Sequence, residues 1–326
     1  MTSPYDIEEI FPDDAAGPVR LPRRQAGNSP QDLTVTLLAD YTLRTRAWLP
    51  SAAVVALLGE AGVSDAGART AISRLARRGV LEGRRHGRRS SYRLTPAAAT
   101  FLAVGGSAIV APADGSPPWD EHWTLVAFSL PQGESAQRRG LRAQLRWMGY
   151  APLYDGVWVS PRDLPEKARA QLAQLALGSM TVFRARHVDF DAASRRTPID
   201  AWDTAAIAGQ YESFIQRWSR TPPRMDTGEI AGAEAVRVRT EVMDTYRRLP
   251  ILDPQLPIRL LPPGWLREPA RDLFVAIYDG LALNAEDHVR AVAAACTDDP
   301  LSGIGAHTVA ELAAGLPAPT ATGGQP

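Results

Sequence analysis

Cysteine, lysine and long apolar runs are all scarce in this sequence. Cys296 is the sole cysteine, which excludes an intrachain disulfide and a cysteine-based zinc site, and its place in "HVRAVAAAC" reads as helix packing. No window approaches the roughly eighteen uninterrupted apolar residues of a membrane span. The N-terminal stretch carries Asp6, Glu8, Glu9, Asp13 and Asp14 where a signal peptide would be basic and then apolar, so the expected location is the cytoplasm, with no membrane partner. Lysine occurs once, at Lys167, among 36 basic residues. Such a bias fits a GC-rich genome, so the abundance of arginine says little and its placement says more.

Signatures of catalysis are missing too. There is no Gly-x-Ser-x-Gly elbow, no phosphate-binding P-loop and no His-Glu-x-x-His. The histidines His86, His122, His187, His288 and His307 are scattered, and "GIGAHT" at 303–308 lacks the preceding strand and the third glycine of a dinucleotide fingerprint. No catalytic residue, metal site or cofactor is therefore expected, and the protein is not expected to be an enzyme.

What is present is a chain of 326 residues, 45% hydrophobic and 22% charged, long enough for two or three domains. Residues 1–29 and 316–326 are rich in Pro and Gly without apolar period and read as flexible tails. "VGGSAIVAPADGSPPWD" and "DAASRRTPID" interrupt the hydrophobic pattern and divide the rest into three blocks, 30–105, 119–190 and 199–315.

The first block predicts three helices and a hairpin. "SPQDLTVTLLADYTLR" is entered by Ser29 and Pro30 and places Leu33, Leu37, Leu38 and Tyr41 at helical spacing. "PSAAVVALLGEAG" is a second helix, with Ser51 as its expected cap. "VSDAGARTAISRLARRG" is a third, capped by Ser64, with Asp65 at the positive end of the dipole and Gly79 as the stop. Its core stripe is Ala68, Ile72, Leu75 and Ala76, which leaves Arg69, Thr70, Ser73, Arg74 and Arg77 on the other face. "GVLEGRRHGRRSSYRLT" then reads as two strands about a turn at His86-Gly87, with Arg84, Arg85, Arg88 and Arg89 at the tip.

The formal net charge of the whole chain is zero, yet Ser64 to Arg93 holds nine arginines against Asp65 and Glu82, a local net of +7. Three helices followed by a basic hairpin is the order of a winged helix-turn-helix. In that reading Arg69, Thr70, Ser73, Arg74 and Arg77 enter or flank a major groove of double-stranded operator DNA, and the four hairpin arginines hold phosphates or reach into a neighbouring minor groove.

In the middle block, "WTLVAFSLP" reads as a strand, "SAQRRGLRAQLRWMG" as a helix and "APLYDGVWVS" as a hairpin about Asp155-Gly156. "DLPEKARAQLAQLAL" then reads as a helix and "MTVFRARHV" as a closing strand. That order is βαββαβ, a ferredoxin-like sandwich. The third block is helical, with Pro269 in a first turn, and is crossed by the proline-dense "PILDPQLPIRLLPPGW". The expected fold class is thus α+β: an N-terminal winged helix-turn-helix, a central ferredoxin-like domain and a C-terminal helical domain.

Three stretches carry a resemblance to the PaaX-like transcriptional repressors. They are "ARTAISRLARRGVLEGRRHGRRSSYRLT", then "WTLVAFSLP" with "YDGVWVSPRD", and "YRRLPILDPQLPIRLLPPGWLREPARDLF". The resemblance implies a homodimeric DNA-binding repressor of a catabolic operon, released by a small effector that is phenylacetyl-CoA in the best known members. The middle block is also similar to the small CRISPR-associated ferredoxin-like nucleases, in which an aspartate near the end of the first strand is expected to hold a divalent metal. Here "AFSLPQ" offers Ser129 instead, so the domain is expected to serve dimerisation. A metal-dependent nucleic-acid nuclease stays open as the alternative, as does an activator or architectural binder. For the effector, a CoA thioester or related aromatic compound, the expected contacts are Trp202, Tyr246, Trp265 and Tyr278 to an aromatic acyl group, with Arg247 or Arg248 to an anionic tail.

Overall fold

The Ser29 hydroxyl accepts from the Asp32 amide at 3.1 Å and Pro30 takes the first helical position, so α1 runs Pro30–Thr42. The computed structural model describes residues 29–111, 119–129, 140–164 (without 143 and 147), 166, 169, 179–188, 196–253 and 255–316. The expected tails and most of the helix read in "DLPEKARAQLAQLAL" lie outside these residues. The described chain is α+β, with helices and two small antiparallel sheets, and it divides into two compact units. One holds 29–111, 213–248 and 267–316; the other holds 119–212 and 249–266. No helix among the described residues is long and apolar enough to cross a membrane.

In the first unit α1 is followed by β1 (Leu49–Pro50), α2 (Ser51–Glu60), α3 (Asp65–Arg77), β2 (Leu81–His86), β3 (Arg89–Leu94) and α4 (Pro96–Val110). Ser51 does not cap α2. Pro50 holds the cap position without a side-chain hydrogen bond, because the two-residue strand β1 turns straight into the helix. α3 is capped as expected, Gly67 N–H donating to Ser64 Oγ at 3.2 Å, and it ends before Gly79 at φ +72°. Its buried stripe is Ala68, Ala71, Ile72 and Leu75. Ala71 replaces the expected Ala76, which is only half-buried, since a 3.6-residue period places the position before Ile72 deeper than the one after Leu75.

α4 is a helix that the sequence pattern does not announce. Thr95 caps it, accepting from Ala98 N–H at 3.3 Å, and it continues through Gly105-Gly106. Gly106 lies so close to Leu312 that a Cβ there would sit 2.7 Å from Leu312 Cδ1, so the glycine serves packing where the sequence suggests a break. The C-terminal part of this unit contributes the end of α5 (Thr204–Trp218), α6 (Thr221–Asp226), α7 (Ala233–Tyr246), α8 (Arg267–Gly280), α9 (Ala282–Ala295) and α10 (Val309–Ala313). Phe214 meets Tyr246 edge-on at its centre, and Tyr246, Phe274 and Tyr278 stack in series, with ring centroids 5.7, 4.0 and 5.3 Å apart along the row.

The second unit is built on a four-stranded antiparallel sheet of β4 (His122–Ser129), β5 (Ala151–Tyr154), β6 (Val157–Ser160) and β7 (Ser179–Arg186), in the order β5-β6-β4-β7. Asp155-Gly156 makes the β5–β6 turn, and Gly156 at φ +76° lets its carbonyl accept from Phe128 N–H at 2.8 Å. One side of the core joins Val126, Leu141, Leu145, Tyr150, Trp158 and Leu164; Trp123, Leu153 and Val159 form another cluster. The proline-dense strap, residues 249–266, is pinned at buried Asp253, which accepts from Tyr211 Oη at 3.0 Å and Trp265 Nε1 at 3.1 Å.

Candidate nucleic-acid interface

α3 puts its five predicted contact residues on one face because burying Ala68, Ala71, Ile72 and Leu75 turns the remaining positions outward. Arg69, Thr70, Ser73, Arg74 and Arg77 are all exposed. Asp65 in its first turn and Arg74 and Arg77 in its last complement the helix dipole.

The chain passes directly from α3 into the hairpin, Val80 N–H donating to the Leu75 carbonyl at 3.0 Å. β2 and β3 pair from Leu81↔Leu94 to His86↔Arg89, which makes Gly87-Arg88 the turn, one residue later than the sequence suggests. Gly87 at φ +59°, followed by a residue of ordinary φ, is the pattern of a type II′ turn. Arg84, Arg85, His86, Arg88 and Arg89 are exposed around it.

Charge compensation separates these arginines. Arg89 meets Asp298 at 2.9 Å, both well exposed. Arg69, Arg74, Arg77, Arg84, Arg85 and Arg88 form no ion pair with any described residue. Two adjacent elements of one unit thus present six uncompensated guanidiniums, each able to offer a planar fork of donors to a phosphate or to the edge of a guanine.

The base of the hairpin holds residues that carry no signal in the sequence. Arg46, at φ +53°, donates through Nε to the Leu94 carbonyl at 2.8 Å and pairs with Glu82. Arg93 Nε meets the same Glu82 oxygen at 2.7 Å. Trp48 lies beside this cluster, its ring centroid 4.6 Å from the Arg84 guanidinium and 4.3 Å from that of Arg93. Gly83 faces Tyr92, where a Cβ would come 2.9 Å from the ring, so the tyrosine covers the strand where it has no side chain. Each partner is an ordinary residue locally. Only strand register brings them together.

The residues expected at an effector site fall into both units. Trp202 stacks on Trp123 at 6.2 Å, and Trp265 meets Tyr211 edge-on at 5.9 Å. Tyr246 and Tyr278 belong to the other unit, buried and joined through Phe274. Arg247 and Arg248 there both pair with Asp244.

Beside Tyr278 is a buried polar group that no motif announces. Arg239, fully buried, donates to the carbonyls of Tyr278 and His307, and its guanidinium lies 3.7 Å from the Tyr278 centroid. Burial pushes the Asp40 carboxyl up, against the pull of Arg239, and burial with the nearby Arg239 and Arg44 charges pushes His307 down to about 3. Burial likewise raises the Tyr278 hydroxyl far above its usual range, so it stays a donor.

Among the described residues no three His, Cys, Asp or Glu side chains converge as a metal site would require. Residues 29–98 match the PaaX-like protein family, 116–196 match the PaaX protein central Cas2-like domain, and 202–291 match the PaaX-like protein C-terminal domain. The transcriptional repressor PaaX of Escherichia coli (strain K12) is 28% identical over 241 residues, covering 72% of this chain and 74% of its own. In fold the chain is similar to an uncharacterised protein from Mycobacterium tuberculosis, with a TM-score of 0.54 at 18% identity over 81% of this chain and 98% of that one. With the three family matches in order along its length, this chain belongs to the PaaX-like family.

Proposed function

We propose that this protein is a DNA-binding transcriptional repressor, released from its operator by a small effector. The observation that carries the reading is the set of six uncompensated arginines on α3 and the β2–β3 hairpin. In this reading α1–α3 and the hairpin are a winged helix-turn-helix: α3 enters the major groove, and the hairpin is the wing along the phosphates. The fully antiparallel β5-β6-β4-β7 order supports a ferredoxin-like middle domain, which would pair two protomers so that two α3 helices address two half-sites. The curated relative is named a transcriptional repressor, which favours repression over activation.

Fluorescence anisotropy with duplexes from upstream of the protein's own gene tests the reading. Binding is expected to be tight in dilute salt, to footprint over two half-sites and to be lost on adding a cognate effector, with CoA thioesters tried first. Absence of any attraction to duplex DNA in low salt would overturn it. Cleavage of labelled nucleic acid that needs Mg²⁺ or Mn²⁺ and stops with EDTA would favour the nuclease instead.

A further inference from the structure

After α9 the chain carries two adjacent carboxylates, Asp298 and Asp299, and the fold holds the first of them against the β2–β3 hairpin. As α9 ends, the Cys296 amide donates to the Ala293 carbonyl at 3.1 Å, and the Asp299 amide donates to Thr297 Oγ1 at 3.1 Å. Downstream, residues 303–306 are fastened on two sides. Thr45 Oγ1, just beyond α1, donates to the Gly303 carbonyl at 2.5 Å, and the Gly305 amide donates to the Tyr41 carbonyl at 2.9 Å. From α9, Arg290 donates to the Ile304 carbonyl at 3.0 and 2.7 Å, and Glu286 accepts from the Ala306 amide at 2.7 Å. Only glycine suits position 303: its φ is +80° and a Cβ would come 2.8 Å from Thr45 Oγ1. Residues 297–302 are thus a short span between two fixed ends.

Strand register decides what this span meets. His86↔Arg89, Arg84↔Ser91 and Glu82↔Arg93 are facing pairs, so Glu82, Arg84, His86, Arg89 and Arg93 share one face of the hairpin and Arg85 lies on the other. On the shared face Trp48 meets Arg84 and Arg93, and Glu82 meets Arg46 and Arg93. Asp298 adds a further contact there, Oδ2 accepting from Arg89 Nη1 at 2.9 Å. The pair is open to water, with the Arg89 side chain 55% and that of Asp298 91% exposed, so a dissolved anion can reach the guanidinium that the carboxylate holds. Asp299 is exposed too, and forms no ion pair with a described residue.

We propose that Asp298 stands in for a DNA phosphate on Arg89, which makes the 297–302 span an autoinhibitory contact that duplex DNA must displace. This deepens the repressor reading and rests on it. A carboxylate and a phosphate offer similar anionic oxygens to a guanidinium, and once Asp298 has neutralised Arg89 a second anion gains less there. Exposed pairs of this kind are weak, worth at most about fivefold in Kd, so the contact tunes affinity and does not abolish it. The counter-ion balance changes as well. When DNA takes Arg89 from Asp298, the phosphate sheds a cation and the freed carboxylate attracts one. The arginine then adds almost nothing to the salt slope, where a free guanidinium would add about 0.9.

Asp298→Asn keeps the size of the side chain and removes its charge; Asp299→Asn, one residue on, removes a charge that holds no arginine. In fluorescence anisotropy over a range of salt, Asp298→Asn is expected to tighten specific and scrambled duplexes alike, about two- to fivefold, and to steepen the salt slope by up to about 0.9. Asp299→Asn should give less than half that gain. Arg89→Ala should cost at least about twofold more in the Asp298→Asn background than in the native chain. Equal gains from the two asparagine variants, or the same Arg89→Ala loss in both backgrounds, would show a general repulsion of DNA by the loop and overturn the competition. Unchanged affinity in Asp298→Asn overturns it as well. Inorganic pyrophosphate gives a readout without DNA: titrated while the Arg89 Nε–H NMR signal is followed, it should bind Asp298→Asn about two- to fivefold more tightly than the native chain. If no duplex binds any variant, the repressor reading fails and the pyrophosphate titration still decides whether Asp298 competes with phosphate for Arg89.

Discussion

Tyr278 donates its hydroxyl to Asp40 Oδ1 at 2.7 Å, joining α8 to α1 across 238 positions of sequence. Since that proton is committed to Asp40, the neutral His307 ring, 3.0 Å away, donates its Nε2–H to the same hydroxyl oxygen. Asp40 Oδ2 has no partner of its own. Tyr278→Phe therefore leaves a buried carboxyl with neither oxygen bonded, and should cost about 1–3 kcal/mol in urea unfolding. In a double variant with Asp40→Ala the two losses should be markedly less than additive. Additive losses would show that the bond contributes little.

His307 sets a pH dependence. Its folded value of about 3 lies below the ordinary 6.5, so the unfolded chain binds the extra proton first and stability is lost as pH falls from about 6.5 towards 3. By pH 5 this should amount to about 2 kcal/mol. Asp40, held above its ordinary range by burial, acts in the opposite sense, its contribution being lost as pH rises above the ordinary carboxylate range. The comparison of the native chain with His307→Gln isolates the histidine: the variant should show a flatter stability profile between pH 5 and 7.

The Trp48 ring holds Arg84 and Arg93 at the foot of the hairpin. Replacing Trp48 with Leu removes no charge but frees the Arg84 guanidinium, while Arg93 stays paired with Glu82. The expected result is a DNA affinity about two- to fivefold lower, with an unchanged dependence on salt. A changed salt slope would mean that the ring positions the backbone contacts as a whole.

Arg85 and Arg88 should supply affinity without choice. Their joint replacement by alanine should weaken binding to every duplex alike and reduce the salt slope by about 0.9 for each phosphate that is no longer neutralised. Arg74→Ala should instead relax preference at one or two base pairs, costing about 1–3 kcal/mol at the preferred site and little elsewhere. A mutation panel measured on specific and scrambled duplexes separates the two patterns.

Local signals are legible wherever the deciding partners lie within a turn or two of one another. Ser29 and Ser64 mark helix starts, Asp155-Gly156 marks a hairpin, and the spacing of Ala68, Ile72 and Leu75 alone turns Arg69 and Arg74 outward. Sequence by itself also determined the family resemblance and the concentration of charge. The tertiary structure decided which of those charges stay free. Glu82 disappears into Arg46 and Arg93, which its sequence neighbours do not reveal, whereas Arg85 and Arg88 keep their charge for a partner. It also decided that Gly105-Gly106 continues a helix, because Leu312 approaches where a side chain would stand. The Asp40–Tyr278–Arg239 group was invisible for the same reason: its members are ordinary residues in their own helices, and only the packing of distant helices takes them out of water and makes each depend on the others.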